Sequence, residues 1–383
     1  MKRGFQLLIL TAILISFLNC EKKANDILYD SRYKKEIAEL RKEASLYLML
    51  NNIPGASFAI AKEGKIIYSE GMGLASKDLE VPATRKTKFR IGEVSELFTS
   101  LMYQMMGENG TVHPDSTVQH YLPDFPLSDF KQTLNKITLS QLVNHSSGIR
   151  EPGDDEFIWK GQNFTLQSSI DNFKNDPLNS IPGWYENPST YNYNLLGAVM
   201  EKASGKTYPD LLKEYITDTL KLTNTEVDNP FRTITGRTDF FDYNLVSQVV
   251  NATFRDMRYR APSEGILSNA EDLVKLGNAI LYSDLISNQI KERLFKPIDL
   301  LGDFPPTMAN GWVILKSKEG DFMYGRVGGV TGGGAVLLII PDEKLVIAGT
   351  VNLTSSDEIP VFKMIAPFLK DTNKKEQVNE KQK

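Results

Sequence analysis

The chain has 383 residues, 41% hydrophobic and 24% charged, with a formal net charge of −4. This is the composition of a globular protein with ample core for one large domain or two intimate ones, and it lacks the basic footprint of a nucleic-acid binder. The three histidines, His113, His120 and His145, have no metal-ligand spacing, so neither a zinc site nor any cofactor is expected.

At the N-terminus, Lys2 and Arg3 precede an apolar run from Phe5 to Leu18, broken only by Gln6, Thr11 and Ser16. A membrane span needs roughly 20 residues, so residues 1–19 read as a targeting signal instead. The run ends at Phe17-Leu18-Asn19-Cys20, and Cys20 is the sole cysteine, which excludes disulfides within the chain. This ending resembles a relaxed bacterial lipobox, in which the thiol is diacylated and the chain is cut just before it. The alternative is a plain signal peptide with a chance cysteine. Residues 20–30 then form a polar lipidated tether, since acyl chains anchor at about 0.8 kcal/mol per buried methylene. The membrane is thus an expected partner through lipid on Cys20. The expected place is the bacterial cell envelope, in the outer membrane facing the periplasm or the surface. Losing Lys2 and Arg3 leaves the mature chain more acidic, so nothing draws it to an anionic surface except its lipid.

Residues 31–370 read as the folded domain. Asp30 to Leu50 is helical, with Ile37, Leu40, Ala44, Leu48 and Met49 on one side, until Asn51-Asn52-Ile53-Pro54-Gly55 breaks it. Ala56 to Ala61, the turn Lys62-Glu63-Gly64 and Lys65 to Ser69 form a hairpin. From Val94 a helix carries Val94, Leu97, Phe98, Leu101, Met102 and Met105 on its buried face. Strand signals then fade. Ile137 to Gly148 is a short helix ending in a turn, and Leu195 to Ala203 and Tyr208 to Leu222 are further helices. Ser268 caps another, with Glu271 three residues on. Met323 to Val327, Gly334 to Ile340 and Leu345 to Asn352 are strands, the last two joined by the turn Pro341-Asp342-Glu343-Lys344. Glu358 to Leu369 is a closing helix with Pro360 in its first turn, and 371–383 is a solvated polar tail. Strands at both ends predict an α+β fold with one antiparallel sheet, flanked by helices, and a mostly helical lobe at about residues 110–265.

The stretch Phe89-Arg90-Ile91-Gly92-Glu93-Val94-Ser95-Glu96-Leu97-Phe98-Thr99 resembles the nucleophile segment of the serine β-lactamase and penicillin-binding-protein superfamily, nearest the class C β-lactamase, D-alanyl-D-alanine carboxypeptidase and esterase branch. The resemblance runs from about Ile53 to Thr350. It includes Ile53-Pro54-Gly55-Ala56, the helix ending in His145-Ser146-Ser147-Gly148, and the segment from Gly265. It implies a β-lactamase/transpeptidase-like fold and three catalytic motifs: a serine followed one turn later by a lysine, a Y-x-N, and a K/H-x-G.

Each motif is altered here. Glu93 stands at the serine's position and Glu96 at the lysine's. A carboxylate attacking an amide or ester would give a reactive anhydride, and with a reference pKa of about 4.3 it is a weak base. Ser95 has Phe98 three residues on, so a shifted register restores nothing. Two carboxylates at this spacing suit acid/base or metal work, but helix starts also attract acidic residues by their dipole. The Y-x-N positions hold Pro188-Ser189-Thr190, and proline has neither hydroxyl nor N–H. Tyr185-Glu186-Asn187 is an alternative Y-x-N if compensating length changes flank it. The third motif falls at Arg326-Val327-Gly328-Gly329, where arginine binds carboxylates but stays protonated. A Ser/His pair from His145, Ser146 and Ser147 is explained better by the turn that ends the helix.

The surviving frame and replaced chemistry point to an inactive homologue whose pocket includes Glu93, Arg326, Gly328 and Gly329. Because the first and third motifs face each other in active relatives, Glu93 and Arg326 are expected to meet in a charge-assisted bond. Three readings stay open: an envelope lipoprotein binding a peptidoglycan-like ligand or an envelope protein, a hydrolase on esters, amides or D-amino-acid peptides with a non-standard site, and a purely structural lipoprotein.

Overall fold

The structure is a computed structural model that describes residues 26–153, 156, 165–316, 322–354 and 359–369. Cys20, the signal segment and the tail 371–383 lie outside these residues. Near the N-terminus, β1 (Leu28–Tyr29) pairs with β3 (Lys65–Ser76), and β3 pairs with β2 (Gly55–Lys62). Between β1 and β2 runs α1 (Lys34–Leu50), which buries Ile37, Leu40, Ala44 and Tyr47 at helical spacing. It stops at Asn51, beyond which Asn52 takes a left-handed φ of 48°.

The central helix α2 (Ser95–Glu108) follows a 3-10 turn, Gly92–Val94, and is buried along almost its whole length. After it come α3 (Leu139–Val143) and α4 (Thr190–Ser204), which ends at Gly205 with φ 70°. The expected helix over Tyr208 to Leu222 is an α-helical turn, Tyr208–Leu211, continued by a π-helix, Leu212–Thr217. A separate hairpin joins β4 (Phe241–Tyr243) and β5 (Val249–Asn251).

Helix α5 (Ala270–Tyr282) is capped by Asn269, whose side chain accepts the Asp272 N–H at 2.8 Å. Ser268 is instead the last residue of the short strand Ile266–Ser268, so the cap sits one residue later than expected. Then come β6 (Trp312–Lys316), which sequence reading did not anticipate, β7 (Phe322–Val330), β8 (Gly333–Ile340) and β9 (Leu345–Val351). The expected closing helix is shorter: α6 spans Val361–Ile365, with Pro360 just before it and a 3-10 turn, Ala366–Phe368, after it.

The antiparallel sheet runs β1-β3-β2-β9-β8-β7-β6, with Met308–Ala309 beyond β6. Chain ends therefore meet at β2 and β9, where Ala56 pairs with Val351 and Lys62 with Leu345. One sheet face packs Phe58, Ile60, Leu338 and Ile347 against α1 and α6. The other packs Ala59, Leu337, Ile339 and Ala348 against α2, α4 and α5. These alternating residues divide the core into two layers, as the pleat requires. Among the described residues no helix is long and apolar enough to cross a membrane.

Candidate functional site

The site lies where β7 crosses the start of α2. Gly92 has φ 52°, and a Cβ there would meet the Gly329 backbone N at 2.6 Å. A Cβ on Gly328 would lie 2.3 Å from the Ile91 carbonyl oxygen and 2.6 Å from the Glu93 nitrogen. Two backbones touch here, and only glycine permits it.

Glu93, in the 3-10 turn, is half-buried. Its carboxylate accepts the Gly329 N–H at 2.7 Å. Burial, and then the neighbouring Glu264 charge, push its carboxyl up to about 7, against Arg326 and the backbone N–H groups of Gly329 and of Glu93 itself.

Glu96, one turn into α2, is fully buried. Its Oε2 accepts a charge-assisted hydrogen bond from Arg326 Nη2 and lies 3.1 Å from His145 Nε2. Its Oε1 has no hydrogen-bond partner among the described residues. The expected Glu93–Arg326 bond is therefore replaced by a Glu96–Arg326 bond. A fully buried carboxylate without a counter-ion costs several kcal/mol, whereas the half-buried Glu93 is served by backbone N–H groups.

His145 sits in the turn after α3 at φ 52°, as its helix-end position suggested, but it also enters the site. Its Nδ1 faces two donors at 3.3 Å, the Ser189 N–H and the Asn192 amide. Nδ1 thus accepts, which places the proton on Nε2 and aims it at Glu96. Ser147 donates to Asn192 and Ser146 turns back toward the Gln141 carbonyl, so neither serine meets the ring.

The Y-x-N positions hold no proton shuttle. Pro188 is exposed just before α4, Ser189 caps that helix and donates to the Arg150 carbonyl at 2.6 Å, and Thr190 accepts from Arg260 at 2.9 Å. In the alternative motif, Tyr185 meets Phe304 edge-on at 6.1 Å. Asn187 ties the loop to the carbonyls of His145 and Ile149. Tyr193 does not stand in either, because its hydroxyl donates to the Val143 carbonyl at 2.9 Å and burial lifts its phenol well above the ordinary value.

Three members of the site escaped sequence reading. Arg260 and Glu264 form an ion pair at 2.5 Å, and Glu151 accepts the Thr190 N–H at 3.1 Å. Burial raises the Glu151 carboxyl, opposed by that N–H and by His145, with Glu96 and Glu264 adding to the rise. Spacing of i and i+4 between Arg260 and Glu264 was the one available signal. The site thus gathers Glu93, Glu96, Glu151 and Glu264 around Arg326, Arg260 and His145. Among the described residues no group of His, Cys, Asp and Glu is arranged to hold a metal ion. Glu96 and Glu264 are buried and paired with Arg326 and Arg260, which leaves Glu93 and Glu151 as the acidic wall open to a ligand.

Comparison with known proteins agrees with this frame. The protein-family model "Beta-lactamase" matches residues 43–363. The human serine beta-lactamase-like protein LACTB, mitochondrial, is 26% identical over 382 aligned residues, covering 76% of this chain and 69% of that one. Among solved structures, the octameric penicillin-binding protein homologue from Pyrococcus abyssi superposes with a TM-score of 0.74 at 22% identity, over 86% of this chain and 76% of that one. FmtA from Staphylococcus aureus gives 0.74 at 20% identity, over 94% and 95%.

Proposed function

Since the chain belongs to the beta-lactamase family, we propose that it is a catalytically inactive member, held in the bacterial cell envelope by lipid on Cys20, that uses its cleft to bind rather than to cleave. The observation that carries this reading is the Glu93 carboxylate resting on the Gly329 N–H at 2.7 Å. Acyl transfer needs a nucleophile with backbone donors free to hold the developing oxyanion. Here an acid stands at the nucleophile's position and occupies the adjacent donor with its own carboxyl oxygen.

The ligand follows from the same wall of carboxylates. A peptidoglycan-like peptide, or an envelope protein, that presents an amine would pair with the partly exposed Glu93 and Glu151, whereas a carboxylate ligand would be repelled. The expected site of action is the outer membrane, facing the periplasm or the surface. Fluorescent penicillin, a chromogenic cephalosporin and a nitrophenyl ester test the inactivity. Neither acylation nor turnover is expected, and a trapped acyl adduct on any cleft side chain overturns the reading.

A second reading rests on Glu93 itself. A carboxyl pushed up to about 7 titrates where a general base works, so a hydrolase that activates water through Glu93 is the alternative. Saturable turnover abolished by Glu93→Gln selects it over the binding role.

A further inference from the structure

Several exposed apolar side chains gather at the end of the sheet from which the N-terminal chain leaves. Helix α1 ends there with Met49 and Leu50, 66% and 67% exposed. The β4–β5 hairpin carries Leu245, fully exposed, and Val246, 72% exposed, at its tip. The turn after β3 offers Leu79, 77% exposed. Two contacts join these pieces: the Tyr243 hydroxyl donates to the Asn51 carbonyl at 2.5 Å, and the Lys77 ammonium lies 5.9 Å from the Phe241 ring centroid. The hairpin is seated firmly, because Phe241 is a core residue bridged to Leu353, so its tip is held outward by structure and not by chance.

The path of the N-terminal chain points to the same end. In β1, Tyr29 pairs with Tyr68 and Leu28 with Ser69. Followed backward, the chain therefore runs toward Gly73 and Ser76, where β3 ends beside the start of β2. Asp26 is fixed on this course by its ion pair with Arg85 at 3.0 Å. Only six Cα steps separate it from Cys20, a reach of at most about 20 Å.

We propose that this end of the molecule is a membrane-facing surface, with Leu245, Val246, Met49, Leu50 and Leu79 entering the interfacial layer of a lipid bilayer beside the acyl anchor on Cys20. The inference rests on the lipidation reading, because a short tether keeps this end of the molecule near the bilayer. The acids Asp78, Glu80 and Asp242 outweigh Lys77 here, so the surface has no basic pull and the contact is apolar and insensitive to salt.

The test uses the full chain purified from membranes, with Leu245→Cys carrying an environment-sensitive dye and Leu134→Cys as the control on a distant exposed hairpin. Each is combined with phosphatidylcholine vesicles containing brominated lipid, and mass spectrometry reads the acyl mass on Cys20 separately. The expected result is loss of emission at position 245, none at 134, and no change with added salt. Equal emission at both positions overturns the surface while leaving a measured acyl mass intact. Absence of the acyl mass overturns the anchor, and quenching at 245 then still supports the surface on its own. A dye at 245 already shielded without vesicles overturns the proposal in favour of a second copy, if the mass doubles, or of the chain's own N-terminal segment, if it does not. The paired variant Leu245→Asp/Val246→Asp, labelled at Leu50→Cys, is expected to lose most of the quenching seen for Leu50→Cys alone, and unchanged quenching overturns the role of the hairpin.

Discussion

Arg326 gives its guanidinium to Glu96 and leaves Glu93 to the Gly329 N–H, so two acids one helical turn apart are satisfied by different means. Glu96 is sealed in the core and requires a full counter-charge. Glu93 stands at the rim, where backbone dipoles suffice. The strand and the helix are thereby stitched together at two levels, one ionic and one through main-chain groups.

Loss of that ionic stitch has a defined cost. Glu96→Leu leaves the Arg326 guanidinium buried without its anion, and a drop in stability of about 3–5 kcal/mol is expected. The double variant Glu96→Leu/Arg326→Met removes both charges and is expected to lose less than the single one. Urea unfolding of the parent, Glu96→Leu, Arg326→Met and the double variant gives the coupling. A double variant less stable than Glu96→Leu would refute the pairing.

The pH dependence of Glu93 has a definite sign. Its folded carboxyl is raised to about 7 from an ordinary 4.5, so the folded state holds the proton more tightly than the unfolded chain. The stability this gives is complete below about pH 4.5 and is lost as pH rises through about 7. After allowance for its partial exposure, the loss is about 1–3 kcal/mol. Glu93→Gln keeps an acceptor for the Gly329 N–H and is expected to flatten this part of the stability profile. A variant profile parallel to the parent's between acid and neutral pH counts against the assignment.

The two acids also mark how far the sequence could be read. Short, nearly continuous apolar runs located β2, β8 and β9, and the family frame located the site, because both signals are local. Which of Glu93 and Glu96 would meet Arg326 was not local. The partners are 230 residues apart, and the answer turns on a 3-10 turn that leaves Glu93 at the rim before α2 carries Glu96 inward. His145 is a turn residue, as its place at the helix end predicts, yet the same left-handed turn aims its ring at Glu96. Likewise Glu151 and Glu264 are ordinary acids in sequence and become site residues only when α4 and the segment before Ile266 fold over α2.

Gly328 offers a steric test of the crossing. Gly328→Ala would press a methyl against the Ile91 carbonyl and the Glu93 nitrogen, both main-chain atoms with little freedom to yield. A loss of about 2–4 kcal/mol is expected. Gly329→Ala, with nothing within 4 Å of its Cβ position, is expected to cost under about 1 kcal/mol, so thermal unfolding of the pair isolates the contact.

Reinstating the residues that the family frame carries at 93 and 96 tests whether the proposed inactivity resides in those two positions alone. In Glu93→Ser/Glu96→Lys the new ammonium would face the Arg326 guanidinium and the Nε2–H of His145, so three donors would share a buried space without an acceptor. The serine would free the Gly329 N–H, but Pro188 still supplies no hydroxyl to move a proton, and Tyr193 stays committed to the Val143 carbonyl. The double variant is therefore expected to be about 3 kcal/mol less stable than the parent and to remain unlabelled by fluorescent penicillin. Adding Arg326→Thr removes the opposing cation and is expected to recover much of the stability without restoring acylation. Labelling of the double variant would instead place the whole deficit at Glu93 and Glu96, and would show that this cleft can dispense with the missing tyrosine.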